Sequence, residues 1–291
     1  MKKEPKTRPS VLKDRIDDDH RHKMERMRRN LEPHTFLLAK KMGKAINDYE
    51  MIRDGDRVLV AVSGGKDSVT LLHLLAARLI WLPIKYELVA VHVLSDMRCG
   101  GCTHPETMTK FFNDLGVEHH FEDLPIMQYL KSHNLKMNCY YCARGRRKVL
   151  FDAALKYNCN RLAMGHHLDD IAHTIMMNLF VHGKFEGMDP RVDLFKGTLT
   201  LIRPLAYIHE FETAAYVKKI NFPSHMCRCP HAQKNVRRTM KEAVDVLGKA
   251  CRWPDVNLFR ALYGKNPDQK YLSEKFTVEK EPGDGQDNTE G

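Results

Sequence analysis

Thiol groups that could bind a metal are concentrated in short stretches of this chain. Three close pairs account for most of the eight cysteines: Cys99 with Cys102, Cys139 with Cys142, and Cys227 with Cys229. Two C-x-x-C pairs can form one tetrahedral zinc site, and one such pair can instead hold an iron–sulfur cluster together with a distant third thiolate. Spacing alone leaves both arrangements open. Cys159 and Cys251 have no cysteine close to them in the sequence, and the simplest interpretation is that they are small buried or surface residues.

The pair Cys139 and Cys142 lies in a setting that favours thiolate chemistry. The residues that follow, 143–148, read Ala-Arg-Gly-Arg-Arg-Lys and lead into a predicted helix over 146–157. Positive charge and a helix start both lower the pKa of a thiol. We therefore expect this pair to supply metal ligands or reactive groups.

A glycine-rich turn at residues 63–68 has the composition of a phosphate-binding loop. It reads Ser-Gly-Gly-Lys-Asp-Ser, follows the apolar run 57–62 and opens a helical pattern over 68–79. Glycines let the backbone approach a ligand closely, and the unpaired amides at a helix start attract anions. The Walker pattern G-x-x-x-x-G-K-[ST] is absent, which argues against an ordinary P-loop NTPase. An unliganded strand–helix turn is the alternative interpretation.

A second polar segment, residues 165–170, follows the apolar stretch 161–164 and reads Gly-His-His-Leu-Asp-Asp. Its acidic pair could bind Mg²⁺ or contact the reacting group, and it could equally cap a helix at its positive end. A further apolar run at 86–93 predicts another strand, and 146–157 and 169–181 have helical periodicity. Strands alternating with helices indicate a doubly wound α/β fold with a parallel sheet, in which both polar segments would lie at the carboxyl ends of strands.

Composition shifts along the chain predict five regions. They are a basic charged N-terminal arm at 1–30, a leading helix at 31–55, a central α/β domain at 56–212 that carries the glycine-rich turn and the C-x-x-C, a mostly helical C-terminal region at 213–268 with the late cysteine pair, and a polar tail at 269–291. The two helical regions are additions to the central α/β domain.

An excess of 47 Lys and Arg over 37 Asp and Glu gives a net charge of +10, which favours a polyanionic partner. There is no apolar run long enough for a membrane span, and the N-terminus has no secretory h-region. We therefore expect a cytoplasmic protein with no membrane association, whose cysteines stay reduced.

Several motifs resemble those of a known enzyme family. The turn at 63–68 resembles the PP-loop of the ATP pyrophosphatase superfamily, whose members cleave ATP between the α and β phosphates and transfer AMP to a substrate oxygen. From about residue 37 to 260 the chain resembles the TtcA-type tRNA 2-thiocytidine synthetases. The resemblance is carried by residues 63–68, 139–148, 165–170, 183–188 and 202–207 and by the cysteine pair that follows Phe222 and Pro223.

This resemblance implies a PP-loop fold, ATP and Mg²⁺ as cofactors, and a [4Fe-4S] cluster. The implied catalytic residues are Lys66, Asp67, Asp170, Cys139 and Cys142. The implied nucleotide-binding residues are Ser63, Gly64, Gly65, Lys66, Asp67, Ser68, His92, Gly165 and His166, and the implied cluster ligands are Cys139, Cys142 and Cys229. The family's late pair is usually C-x-x-C, whereas Cys227 and Cys229 enclose one residue, so Cys227 is the second choice. Cys99 and Cys102 fall outside the family pattern.

The implied reaction is ATP-dependent adenylation of the C2 oxygen of an anticodon-loop cytidine, followed by its replacement with sulfur delivered through the cluster. tRNA is the expected partner, with a sulfur donor such as a cysteine desulfurase, and a homodimer is an assembly that the sequence allows. Candidate phosphate contacts are the basic residues Arg144, Arg146, Arg147, Lys148, Arg237, Arg238 and Lys241. Two rival functions remain: an amidating or ligating PP-loop enzyme with structural zinc, and a non-catalytic, zinc-stapled RNA-binding protein.

Overall fold

A twisted six-stranded sheet forms the centre of the computed structural model, which describes residues 32–80, 82, 84–96, 104–223 and 236–267. Its strands lie in the order β3-β2-β1-β4-β6-β5. Their bounds are Arg57–Ala61 for β1, Glu87–Ser95 for β2, Glu118–Leu124 for β3, Arg161–Ala163 for β4, Arg191–Leu194 for β5 and Leu199–Ile202 for β6. All neighbours are parallel except the edge pair β5 and β6, which is antiparallel. The predicted α/β sheet is confirmed, with one reversed edge strand.

The central strands are mainly apolar, which suits their position between helices that cover both faces of the sheet. Successive residues of β1 point to opposite sides, so that Val58 belongs to one hydrophobic cluster and Leu59 to the other. In register, Val58 lies opposite Leu88 of β2, and Leu59 lies opposite Leu162 of β4. Burial on both faces is the reason why near-continuous apolar runs were readable as parallel strands.

Nine α-helices occur in the described ranges. Their bounds are Pro33–Asp48 for α1, Lys66–Arg78 for α2, Pro105–Asp114 for α3, Ile126–Ser132 for α4, Cys139–Lys156 for α5, Leu168–His182 for α6, Glu210–Lys219 for α7, Val236–Ala250 for α8 and Pro254–Tyr263 for α9. Helices α1, α2, α6, α7 and α9 share the larger core, and α5 covers the opposite face of the sheet. Short 3₁₀ turns at Phe195–Gly197 and Pro204–Tyr207 flank β6.

Helix α1 is fastened to the domain by polar contacts inside the core. Lys41 and Glu212 form an ion pair of 2.6 Å that is almost fully buried, which ties α1 to α7. The guanidinium of Arg78 donates to the carbonyl of Ala39 at 2.7 Å and occupies the space that a side chain on Gly43 would need. The leading helix is therefore an integral layer of the fold.

The site is positioned by a reversal in the strand order. From β1 the chain passes through α2 to β2 on one side, and from β4 it passes through α6 towards β6 on the other. The loops that leave the carboxyl ends of β1 and β4 therefore diverge and leave a crevice between them, which is where open α/β sheets bind ligands. Residues 63–68 and 165–170 line this crevice. None of the helices in the described ranges is long and apolar enough to cross a membrane.

Candidate active site

The glycine-rich turn is held in shape by its own hydroxyl groups. Gly64 has φ +82°, a left-handed conformation that glycine adopts without strain. The amide of Ser63 donates to Oγ of Ser68 at 3.1 Å, and that hydroxyl donates to the carbonyl of Gly65 at 3.0 Å. The amide of Gly65 lies 3.3 Å from Oγ of Ser63. Helix α2 begins at Lys66, so its first amides open towards the crevice, where an anion is favoured.

Gly165 brings the second polar segment against this turn. A Cβ atom at this position would stand 2.9 Å from the backbone nitrogen of Ser68 and 3.1 Å from the carbonyl carbon of Asp67. Both neighbours are backbone atoms at the start of α2, so they cannot rotate away. Only glycine permits this approach, and the two sequence motifs therefore meet as parts of one site.

Lys66 is surrounded by carboxylates. Its Nζ lies 2.9 Å from Asp67 and 3.2 Å from Glu210 at the start of α7. Burial acts to lower the pKa of Lys66, but the two carboxylates outweigh it and raise that pKa, so the ammonium stays charged. Thr213, one turn along α7, donates its hydroxyl proton to Asp67. The turn is thus connected to α7 through both of its charged residues.

His167 lies at the centre of an acidic group that includes both carboxylates predicted for catalysis. Its Nε2 is 3.9 Å from Asp67 and 3.5 Å from Asp170, while Asp169 approaches Nδ1 at 3.3 Å. Burial acts to lower the pKa of His167, but these carboxylates outweigh it and raise that pKa. His167 and Asp170 also form a capping box that starts α6. The capping interpretation is therefore confirmed, and the role of the acidic pair in Mg²⁺ binding or catalysis stays a prediction.

His166 lies on the neighbouring side of the crevice beside Arg203, which follows β6. The Nε–H of Arg203 donates to Nδ1 of His166 at 3.3 Å, and another of its N–H groups donates to the carbonyl of Asp189. Burial, with smaller contributions from Arg203 and Arg237, lowers the pKa of His166 to about 4. The imidazole is therefore neutral at neutral pH and accepts a hydrogen bond from Arg203.

His92 supports the turn from behind. It is a buried residue of β2, and its Nδ1–H donates to the carbonyl of Val62 at 2.7 Å. Burial lowers the pKa of His92, and the charge of Arg146 lowers it further. Its role in nucleotide binding stays a prediction.

Cys139 and Cys142 both lie in the first turn of α5. The predicted helix at 146–157 in fact begins at Cys139, because the side chain of Asn138 accepts the amide proton of Tyr141 and caps the helix at this point. Cys139 is exposed and Cys142 is half-buried. Residues three apart in a helix lie on the same side, so both sulfurs can serve one metal site.

The remaining cysteines predicted to act together with these lie outside the described residues. This applies to Cys229, to its alternative Cys227, and to the unassigned pair Cys99 and Cys102. Cys159 is buried, and burial raises its thiol pKa to about 11, which fits a structural role. The N-terminal arm and the polar tail also fall outside the described ranges.

The basic residues predicted to contact RNA differ in their surroundings. Arg144, Arg147 and Lys148 are exposed on α5, although Lys148 pairs with Asp152 at 2.6 Å. Arg146 is half-buried, and its charge lowers the pKa of His92. On α8, Arg237 lies 4.0 Å from Asp170 and Lys241 lies 2.7 Å from Glu210, so both are at the crevice. Arg238 is exposed and pairs with Glu242 of the same helix at 3.0 Å.

Some residues at the crevice were not among the predicted site residues. Glu210 reaches Lys66 from α7, and Arg203 reaches His166 from the end of β6. Asp169, His209 and Asp255 form a further polar group, in which His209 Nδ1 lies 2.8 Å from Asp255 and the amide of Glu210 donates to Asp169 at 2.8 Å. This group fastens the starts of α6, α7 and α9 to one another.

Comparison with known proteins identifies the family. The model of a PP-loop domain matches residues 35–225. The chain is 38% identical over 235 residues to the tRNA-cytidine(32) 2-sulfurtransferase of Geobacter sulfurreducens, covering 79% of this chain and 90% of that protein. It is 34% identical to the same enzyme of Geotalea uraniireducens, covering 84% and 97%. The chain belongs to the tRNA-cytidine(32) 2-sulfurtransferase family.

A solved structure gives the fold of this family member independent support. The U34-tRNA thiolase NcsA from Methanococcus maripaludis, solved with its [4Fe-4S] cluster, superimposes with a TM-score of 0.63 and 25% sequence identity. The alignment covers 77% of each chain. The resemblance drawn from the motifs is confirmed.

Proposed function

We propose that this tRNA sulfurtransferase of the PP-loop ATP pyrophosphatase type uses ATP to adenylate the C2 oxygen of cytidine 32 in tRNA and replaces that oxygen with sulfur. The relatives at 34–38% identity carry the name of this activity over most of their length. The observation that carries the proposal is the approach of Gly165 to the amide of Ser68, which unites the phosphate-binding turn with the carboxylates of 165–170.

Adenylation solves a leaving-group problem. The C2 carbonyl of cytosine is a poor electrophile because oxide is a poor leaving group. In the proposed first step the base oxygen forms a bond to the α-phosphorus of ATP, the bond from that phosphorus to the β-phosphate bridging oxygen breaks, and pyrophosphate leaves. The amides of the turn and the ammonium of Lys66 would neutralise the charge that accumulates on the departing phosphates.

Asp67 and Asp170 are the residues we assign to Mg²⁺. Carboxylate oxygens are the ligands this cation prefers, together with phosphate oxygens and water. Both carboxylates lie within 4.0 Å of Nε2 of His167, which supports their serving one ion. The imidazole of His167, whose pKa these carboxylates raise, faces the same two carboxylates, so Mg²⁺ and the imidazolium proton should compete for them.

Cys139, Cys142 and Cys229 are the residues we assign to an iron–sulfur cluster. The placement of two thiols in the first turn of α5 fits this assignment, because both lie on one side of the turn. When bound, the cluster would supply sulfur in anionic form for attack on the adenylated C2 carbon, from which AMP departs. The exposed residues Arg144 and Arg147 on the same helix are suited to contact RNA phosphates.

The test is a reaction with purified components. Protein isolated without oxygen is incubated with unmodified tRNA, ATP, Mg²⁺ and sulfide, and the nucleosides are analysed by mass spectrometry. We expect 2-thiocytidine, one pyrophosphate per thiolation, and bound iron with labile sulfide. Lys66→Ala should slow the reaction by about 10²–10³-fold.

Lys85→Ala is the matched control for Lys66→Ala. Lys85 is an exposed lysine just before β2, at the amino-terminal ends of the parallel strands and so away from the crevice. Its replacement should leave the rate unchanged. Pyrophosphate release without a thiolated base would instead favour an amidating or ligating enzyme. A colourless zinc protein that binds tRNA and leaves ATP intact would favour the RNA-binding alternative.

A further inference from the structure

The carboxylate of Glu210 lies between two lysines that come from distant parts of the chain. Its Oε1 is 3.2 Å from Nζ of Lys66 in the glycine-rich turn, and its Oε2 is 2.7 Å from Nζ of Lys241 on α8. The backbone of Glu210 is fixed independently, since its amide donates to Asp169 at 2.8 Å. The carboxylate therefore links the glycine-rich turn to α8.

Helix α8 presents two cations to the crevice from one face. Arg237 and Lys241 are four residues apart and so lie on the same side of the helix. Arg237 donates to the hydroxyl of Thr174 at 3.2 Å and lies 4.0 Å from Asp170. Lys241 and Lys66 thus flank the Glu210 carboxylate, and Arg237, one turn earlier on α8, places its charge beside Asp170.

The contacts of Glu210 are of a kind that a phosphate can replace. The side chains of Lys66, Glu210 and Lys241 are 26%, 32% and 47% exposed, so water and salt screen both ion pairs. A phosphate group carries more charge than one carboxylate and offers three oxygens to the same donors. Two ammonium groups on either side of one carboxylate are thus arranged as they would be around a phosphate.

We propose that Lys241 and Arg237 of α8 form the second half of the site for the β- and γ-phosphates of ATP and for the pyrophosphate product, with Glu210 occupying the position of a phosphate oxygen until the nucleotide enters. This rests on the proposed function and extends it to a helix that lies well after the PP-loop motifs in sequence. Arg237 and Lys241 then bind nucleotide phosphate, and the tRNA backbone is contacted elsewhere.

Binding measurements on the full chain test the assignment. The probes are inorganic pyrophosphate, AMP, and an ATP analogue with a methylene bridge between the α and β phosphates. Lys241→Ala should weaken pyrophosphate and the analogue by about tenfold, the loss of one charged hydrogen bond, and leave AMP unchanged. Lys241→Arg should retain most of the affinity. Lys249→Ala, an exposed lysine two turns further along α8, is the control and should bind as the native chain does.

Glu210→Gln gives a result of opposite sign. If Glu210 merely occupies the site of a phosphate, removing its charge frees both lysines and should tighten pyrophosphate binding several-fold. If Glu210 instead positions Lys66 for binding, the same substitution should weaken pyrophosphate, and the proposal is overturned. It is equally overturned if Lys241→Ala weakens tRNA binding but leaves pyrophosphate affinity unchanged.

A second measurement needs no variant and so does not depend on folding of altered chains. Native protein is treated with an amine-acetylating reagent with and without pyrophosphate, and modified lysines are counted by peptide mass spectrometry. We expect pyrophosphate to protect Lys66 and Lys241 but not Lys249. Protection of Lys66 alone refutes the role of α8 and leaves the proposed function standing, whereas a chain that binds neither ATP nor pyrophosphate refutes both.

Discussion

Gly165→Ala would place a single methyl group where two parts of the active site touch. That methyl would stand 2.9 Å from the nitrogen of Ser68 and 3.1 Å from the carbonyl carbon of Asp67. Ordinary carbon contacts begin near 3.5 Å, so the backbone of β4 or of the glycine-rich turn must move by several tenths of an ångström. Neither neighbour is a side chain that could rotate aside.

This substitution should affect both the stability of the protein and the rate of its reaction. Overpacking a well-filled interior costs about 1–3 kcal/mol, which for a domain of this size lowers the melting temperature by roughly 2–4 °C per kcal/mol. A displaced phosphate-binding turn should cost far more in activity, since misplacement of a reacting group by about 1 Å can lower a rate by 10²-fold. We therefore expect a folded protein, modestly destabilised, whose ATP-dependent pyrophosphate release falls by about 10²-fold.

Thermal unfolding and pyrophosphate release, measured on the same preparation, check this expectation. Gly248→Ala is the control, because a Cβ on that helical glycine would meet only Pro254 at 4.0 Å; it should leave the melting temperature equal or higher and the rate unchanged. If Gly165→Ala melts and reacts as the native chain does, the close approach of the two motifs is not a feature of the protein in solution.

Three other substitutions test separate parts of the structure. Lys41→Met leaves the Glu212 carboxylate buried without its partner and should lower the free energy of unfolding by about 3–5 kcal/mol, measured by urea denaturation; a loss below 1 kcal/mol would show that the pair is solvated. His166 has its pKa lowered to about 4, so its neutral form stabilises the fold above pH 6.5 and this contribution is lost as the pH falls towards 4, by at most about 3 kcal/mol; His166→Gln should flatten that part of the pH–stability curve, and an unchanged slope would contradict the assignment. Asn138→Ala should destabilise the start of α5 by about 1 kcal/mol and reduce the iron that stays bound after gel filtration. Asn138→Asp should keep the native stability and iron content. Equal iron in the native chain and both variants would show that metal binding does not depend on this cap.

The strands and helices that could be predicted are those whose burial produces an apolar run or a helical periodicity in the sequence. The strands β1 and β2 are covered on both faces and read as apolar runs, and the loops after β1 and β4 could be assigned to one edge because parallel strands end together. Strand β3 gave no such signal. It is an edge strand with the sequence Glu-His-His-Phe-Glu-Asp-Leu, only partly buried, so its polar residues hide the pattern.

The start of α5 was predicted too late for a local reason. Tyr140, Tyr141 and the two cysteines are weak helix formers, so periodicity became clear only after Arg146. The signal that was available is Asn138, a favoured N-cap residue that caps the helix just before Cys139. Its recognition would have placed both thiols in the helix and not ahead of it.

The contact between Glu210 and Lys66 could not have been predicted from the sequence. Glu210 comes about 140 residues after the glycine-rich turn. It is the first residue of α7, between a histidine and a phenylalanine, and this local sequence is common at the start of a helix. Its contact with Lys66 depends on how α7 packs against α2, which is a property of the folded core. Side chains that reach a site from a neighbouring helix carry no motif of their own.

The pairing of β1 with β4 has a consequence for the newly made chain. Val58 of β1 lies opposite Leu88 of β2 and, on its other side, opposite Arg161 of β4. The second of these neighbours is synthesised about 100 residues after β1, so one side of the strand that leads into the glycine-rich turn stays unpaired until then. Long-range parallel pairing forms slowly and late. A ribosome-bound intermediate therefore carries the glycine-rich turn without the wall that Gly165 provides, and the ability to consume nucleotide should emerge only once the central sheet has closed.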